Sequence, residues 1–143
     1  MRLMIDPEAK PTAFHTPLSV IYHWMEEVKA DIDCDVRLGV LEQVPISDPV
    51  TWCHRMVICP KKNGKPRRTV DFQALNKYAT RETHHTQSPF IQARSVPQHT
   101  KKTVLDAWNG YHSVSLREDD RHYTSFITPW GRYRYRVAPQ GYI

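Results

Sequence analysis

The run Thr103-Val104-Leu105-Asp106-Ala107-Trp108-Asn109-Gly110-Tyr111 sets one carboxylate at the end of three β-leaning residues, with an aromatic ring five positions later. Phosphoryl-transfer sites use aspartates placed in this way, because Mg²⁺ takes hard oxygen ligands in a fixed octahedral geometry. Two such metals about 4 Å apart stabilise both the attacking and the leaving oxygen. Taken alone, an aspartate where a strand leaves a sheet more often caps a turn through its own backbone hydrogen bonds. Five of the nine residues from Pro60 to Arg68 are basic: Lys61, Lys62, Lys65, Arg67 and Arg68. Guanidinium forks and ammonium point charges gathered on one loop suit a triphosphate or a phosphodiester backbone. The competing account is a solvated hairpin whose lysines keep it soluble.

Glu118-Asp119-Asp120 is a second group of carboxylates, but it sits among Arg117, Arg121 and His122 with no apolar frame. A solvated turn or helix start, with acids near a helix N-terminus, accounts for it better than catalysis does. Adjacent His84 and His85 have poor ligand spacing, and Cys53-His54 has no matched second pair, so zinc is disfavoured.

The elements that must hold these residues follow from periodicity. Val20, Trp24, Val28, Ile32 and Val36 recur every four residues, which predicts an amphipathic helix with Ser19 as N-cap and Gly39 at its C-terminal end. Val40 to Val44 reads as a short extended piece. Residues 52–60 and 67–72 read as strands flanking Asn63-Gly64, a hairpin turn signal because both residues tolerate positive φ. Leu75-Asn76 leaves the strand, and Phe90 to Val96 holds a short helix. Thr103 to Asp106 is expected as a strand. A last hairpin runs from Tyr123 to Thr128 and from Arg132 to Val137, with Tyr133, Tyr135 and Val137 on one face and Arg132, Arg134 and Arg136 on the other. Residues 1–18, with Pro7, Pro11 and Pro17, read as a leader or linker.

The 143 residues suffice for one domain with a real core. A net charge of +5 favours a polyanionic partner, nucleic acid first. Three cysteines with no C-x-x-C pair argue for a reducing compartment, and the start of the chain breaks too early for a signal peptide. No apolar run approaches a membrane span, so the expectation is an intracellular protein, cytoplasmic or nuclear, with no membrane partner.

In their order and spacing the pieces resemble the reverse transcriptase of Gypsy-class LTR retrotransposons, with retroviral enzymes close behind. The matching stretches are Gly39-Val40-Leu41, Trp52, Pro60 through Asn76, Val104-Leu105-Asp106, Gly110 through Val114, Tyr123 through Phe126, Trp130 through Tyr135, and Pro139-Gln140-Gly141. The resemblance implies an α+β fold: fingers and first palm segment of a right-hand polymerase, antiparallel hairpins with an N-terminal amphipathic helix. Residues of about 19–81 and 114–143 would be fingers, and about 82–113 the first palm segment. It further implies that Asp106 is the first catalytic, metal-binding carboxylate, with the Ala107 carbonyl near a metal and two Mg²⁺ as cofactor. Lys61 or Lys62, with Arg67, would hold the incoming dNTP. Tyr111 would lie under its sugar, and Gln140 would touch the nucleotide or template. Lys65 and Arg68 would contact nucleic acid, while Trp52, Asp71 and Asn76 would be structural. The partners implied are an RNA template, a DNA primer, dNTP and the remainder of a retroelement polyprotein.

The chain departs from the pattern in places. Asn109 stands where retroviral enzymes carry an acid, and Gln140 where many Gypsy-class members carry Phe. The family's Tyr-x-Asp-Asp hairpin, thumb, connection and RNase H would lie beyond Ile143, so the metal site is expected to be incomplete here. The alternative is a non-enzymatic remnant of a retroelement that binds nucleic acid or protein.

Overall fold

In a computed structural model, residues 1–80, 85–107 and 109–142 are described. His84 of the histidine pair and Trp108 of the aspartate run lie outside them. The centre is a five-stranded sheet in the order β1-β5-β4-β2-β3, formed by β1 (Leu41–Gln43), β2 (His54–Pro60), β3 (Pro66–Asp71), β4 (Phe126–Thr128) and β5 (Gly131–Tyr135). The two expected hairpins, β2–β3 and β4–β5, are antiparallel. They meet through a parallel pair, His54↔Phe126 and Arg55↔Ile127, that local pattern could not announce.

The amphipathic helix is present as α1 (Met25–Arg37) after a 3-10 turn at Tyr22–Trp24. Val28 and Ile32, four apart, are its buried residues. Each such side chain removed from water contributes roughly 1.5–3 kcal/mol. Ser19 does not cap this helix. Ile21 is extended ahead of the 3-10 turn, so no orphan N–H of α1 falls within reach of Ser19. Gly39 does close the helix, at φ +73°. Its N–H bonds the Val36 carbonyl at 3.0 Å and the Val40 N–H bonds the Asp35 carbonyl at 2.9 Å. This paired 5→2 and 6→1 closure requires a left-handed residue.

Val28 and Ile32 pack with Leu41, Trp52, Met56, Val70, Phe72, Leu75, Phe126, Tyr133 and Tyr135 in one core. Short helices α2 (Gln73–Asn76) and α3 (Pro89–Ser95) stand where the sequence leaves its strands. Residues 1–18, read as a leader, are tied to the body. Thr80 N–H donates to the Met4 carbonyl at 2.8 Å, Asp6 N–H to Tyr78 at 2.9 Å, and Phe14 N–H to Cys53 at 2.9 Å.

Thr103 to Asp106 forms no strand; Val104 is 92% and Leu105 89% exposed. A strand needs a partner for its N–H and C=O groups, and no described strand runs beside this segment. Nor is Glu118–Asp120 wholly solvated. It opens a 3-10 turn, Glu118–Thr124, and Asp120 is buried, its Oδ2 accepting the Leu3 N–H at 3.0 Å.

Candidate functional site

The basic cluster occupies the tip of the β2–β3 hairpin. Pairing runs from Arg55↔Asp71 to Pro60↔Pro66, leaving Lys61 to Lys65 as the loop. Lys61 N–H donates to the Lys65 carbonyl at 2.8 Å and Gly64 N–H to the Lys61 carbonyl at 2.9 Å. Only Gly64 takes positive φ, at +79°; Asn63 instead accepts the Lys65 N–H on Oδ1 at 3.2 Å. That side-chain turn fixes the loop without needing two left-handed residues. Lys61, Lys62 and Lys65 are exposed, and among the described residues no acid pairs with them. Alternation along β3 then divides the two arginines. Arg67 is exposed on the face of its partner Cys59. Arg68 points to the other face and pairs with Asp35 of α1. Arg68 therefore does not share the exposed surface of the lysines, contrary to its expected contact with nucleic acid.

Asp106 and Ala107 lie in the exposed extended segment. Asn109 follows in the left-handed region at φ +47°, and a Cβ on Gly110 would stand 3.5 Å from that of Ala107. This tight bend leads into a 3-10 turn, Gly110–Ser113, that carries Tyr111 at 56% exposure. The next residue, His112, lies near enough for its charge to act on Asp35. Burial pushes the Asp35 carboxyl above the usual carboxylate range, while Arg68 and then His112 pull it back in part.

Gln140 is exposed on a turn between buried Pro139 and Gly141 at φ +100°. Asn76 Nδ2 donates to the Gly141 carbonyl at 2.8 Å, and Gly141 lies against Phe72 and the Val70 carbonyl. The turn therefore sits at the base of the hairpin, roughly 17 Å along β3 from its tip at ~3.3 Å per residue. The structural assignments of Trp52, Asp71 and Asn76 are visible here. Trp52 is 3% exposed, and Asp71 Oδ1 accepts the Gln73 N–H at 3.0 Å to start α2.

The arginine face of β5 is partly neutralised, by a residue that the sequence reading passed over. Glu42 accepts Arg134 at 2.5 Å and lies 3.4 Å from Arg121 and 3.7 Å from Arg136. Arg132 donates to the carbonyls of Pro45 and Ile46. The register Glu42↔Arg134 is a tertiary fact; only the alternation of Glu42 with buried Leu41 hinted at it.

The sequence pattern of the family described as reverse transcriptase (RNA-dependent DNA polymerase) matches residues 59–143, more than half of the chain. The chain belongs to the reverse transcriptase family. Its relatives include the Transposon Tf2-3 and Tf2-4 polyproteins of Schizosaccharomyces pombe, each 29% identical over 119 residues. Those matches take in 82% of this chain and 8% of each polyprotein. Among solved structures, prototype foamy virus protease–reverse transcriptase superposes with a TM-score of 0.79 at 20% identity, over 99% of this chain and 19% of the viral one. A foamy viral protease–reverse transcriptase in complex with double-stranded DNA superposes with a TM-score of 0.72 at 18% identity, over 97% and 22%. At these identities the superpositions establish the fold, an α+β reverse transcriptase fold with a sheet and few helices.

Reverse transcriptases generally use Mg²⁺. Among the described residues, no three His, Cys, Asp or Glu side chains gather into a group that could hold a metal ion. Asp106 is a single exposed carboxylate. The described residues do not by themselves make up the family's metal site. Also among the described residues, no helix is long and apolar enough to cross a membrane.

Proposed function

We propose that this chain supplies the fingers and first palm segment of an RNA-directed DNA polymerase carried in a retrotransposon polyprotein. The fingers would comprise about residues 19–81 and 114–143, and the palm segment about 82–113. One observation carries the reading: within the stretch that matches the family, an exposed hairpin tip presents Lys61, Lys62 and Lys65, and no acid among the described residues neutralises them. Phosphate is the ligand such a tip fits. Arg67, on the exposed face beside it, would join Lys61 or Lys62 on an incoming dNTP, with Lys65 on nucleic acid. Gln140 at the hairpin base would touch the nucleotide or template, and Tyr111 would lie beneath the sugar. Asp106 would be the first metal carboxylate, with the Ala107 carbonyl beside it, in a two-Mg²⁺ site that other residues complete. RNA template, DNA primer and the rest of a polyprotein are the partners. The foamy viral relative bound to double-stranded DNA supports a nucleic-acid partner by analogy.

The test is binding of a labelled single-stranded oligonucleotide over a range of salt. Replacing Lys61, Lys62 and Lys65 by Ala should make the slope of log affinity against log salt shallower by about 2, at ~0.7 per phosphate contact on a single strand. An unchanged slope would move the binding surface elsewhere and sink the hairpin reading.

A further inference from the structure

The hairpin that carries the basic loop is held to the sheet only at its base. β2 pairs with β4 through His54 and Arg55. From Met56 to Pro60 its one strand neighbour is β3, which is itself the edge of the sheet. An isolated two-stranded hairpin is marginally stable in water; Met56 and Val70 pack in the core and Ile58 packs against it, and beyond them a contact outside the sheet must fix the direction of the tip. Among the described residues, the hairpin makes one ion pair with the rest of the protein, from Arg68 to Asp35. The two side chains are 11% and 18% exposed. Arg68 also lies against the buried Tyr135 phenol. Asp35 stands on the last turn of α1, immediately before the closure at Gly39, and α1 is fastened to the core through Val28 and Ile32.

A buried ion pair is weak as a source of stability, because desolvation offsets most of the attraction. Its value is directional: Arg68 Nη2 donates a charge-assisted hydrogen bond to Asp35 Oδ2, which ties β3 to one point on α1. We infer that Asp35 and Arg68 form a positioning strut that sets the angle of the β2–β3 hairpin against α1, and so the place at which Lys61, Lys62, Lys65 and Arg67 meet phosphate. The inference rests on the phosphate-binding reading of the hairpin. Arg68 makes no phosphate contact; it acts through its neighbours.

Asp35→Asn separates this from simple electrostatics. The substitution raises the formal net charge of +5 by one, so a charge-only account expects tighter binding of an oligonucleotide. The strut expects binding several-fold weaker, measured below the unfolding temperature with the folded state verified by circular dichroism. Because the variant leaves Arg68 unpaired, the swap Asp35→Arg with Arg68→Asp is the second arm, and it should recover the lost affinity. A nitroxide on exposed Cys59, in a Cys34→Ser background, reports the hairpin directly. Its spectrum should sharpen in Asp35→Asn and broaden again in the swap. Tighter binding by Asp35→Asn, or an immobile label in that variant, overturns the strut. A mobilised label with unchanged affinity instead overturns the phosphate reading of the hairpin.

Discussion

His54 holds its Nε2 2.9 Å from the carbonyl oxygen of Tyr123, in a site with 0% exposure where β2 joins β4. A carbonyl only accepts, so Nε2 carries the proton of a neutral ring. Phe72 stands edge-on at 4.8 Å between ring centroids, and Trp52 stacks at 6.1 Å. Burial lowers the pKa of His54 below 6.5, against the opposing pull of the Tyr123 carbonyl and Asp71.

A sign follows for stability. The folded state binds the proton less well than the unfolded chain does, so the unfolded chain gains from acid. The contribution of His54 is complete above the unfolded value of 6.5 and is lost as pH falls from there through the folded value. One proton limits the effect to about 1.4 kcal/mol per pH unit. Urea denaturation from about pH 7.5 to about pH 5 should show a steeper loss of stability in the wild type than in His54→Gln, whose amide N–H can replace the donor. Parallel curves for the two proteins would contradict the assignment.

Gly39→Ala tests the end of α1. An added Cβ would meet Arg136 Nη1 at 3.6 Å, an ordinary contact, so space is not the obstacle. The obstacle is φ +73°, which costs an alanine about 1–2 kcal/mol. The melting temperature should fall by roughly 3–8 °C. A variant as stable as the wild type would mean that the helix ends differently in solution.

How far the sequence announced all this depends on the range of the interaction. The helix face of Val28 and Ile32, the hairpin around Asn63-Gly64 and the left-handed Gly39 are local facts, written in periods and turn residues. Arg67 and Arg68 show where that stops. Alternation requires that they face opposite ways, but which one meets solvent depends on α1 bringing Asp35 to β3. The partners of Glu42 and Asp120 were out of reach for the same reason: Arg134 and the Leu3 N–H lie 92 and 117 residues away. Thr103 to Asp106 is the reverse case, a strong local strand pattern with no strand beside it. For the candidate site, the exposure of Lys61, Lys62 and Lys65 was legible from polarity and turn chemistry. The pairing of Arg68 with Asp35 was not.

That segment carries its own prediction. Val104 and Leu105 are almost fully exposed, with Phe90 at 82% and Ile91 at 55% in the same stretch of chain. Extended apolar residues with unpaired N–H and C=O groups are a template for pairing with another copy. Light scattering should show the average mass rising with concentration. Val104→Lys combined with Leu105→Glu should suppress the rise. Monodisperse wild-type protein at every concentration would refute it.

Primer extension is a further check. The one Asp-Asp pair in the sequence, Asp119-Asp120, is occupied elsewhere: Asp119 accepts Arg117 Nε at 3.0 Å and Asp120 accepts the Leu3 N–H. That leaves Asp106 without a second carboxylate among the described residues, and one carboxylate cannot hold two metals for in-line transfer. The purified 143-residue chain should extend no primer with Mg²⁺ or Mn²⁺. Extension above an Asp106→Asn control would show that a catalytic site forms within it.

Tyr111 separates a packing role from a sugar-sensing one. Its ring is 56% exposed on a 3-10 turn, so in this chain it supports no core. Tyr111→Val should therefore change stability by no more than about 0.5 kcal/mol, the usual range for a surface substitution. In a full-length polymerase carrying this segment, a ring beneath the sugar would collide with a 2′-OH. Discrimination is then a difference in transition-state binding. Tyr111→Val should raise kcat/KM for ribonucleotides relative to deoxyribonucleotides. Tyr111→Phe should keep most of the discrimination, because the ring and not the hydroxyl is the obstacle. A lower melting temperature with an unchanged ratio would assign the ring to packing and remove it from the nucleotide site.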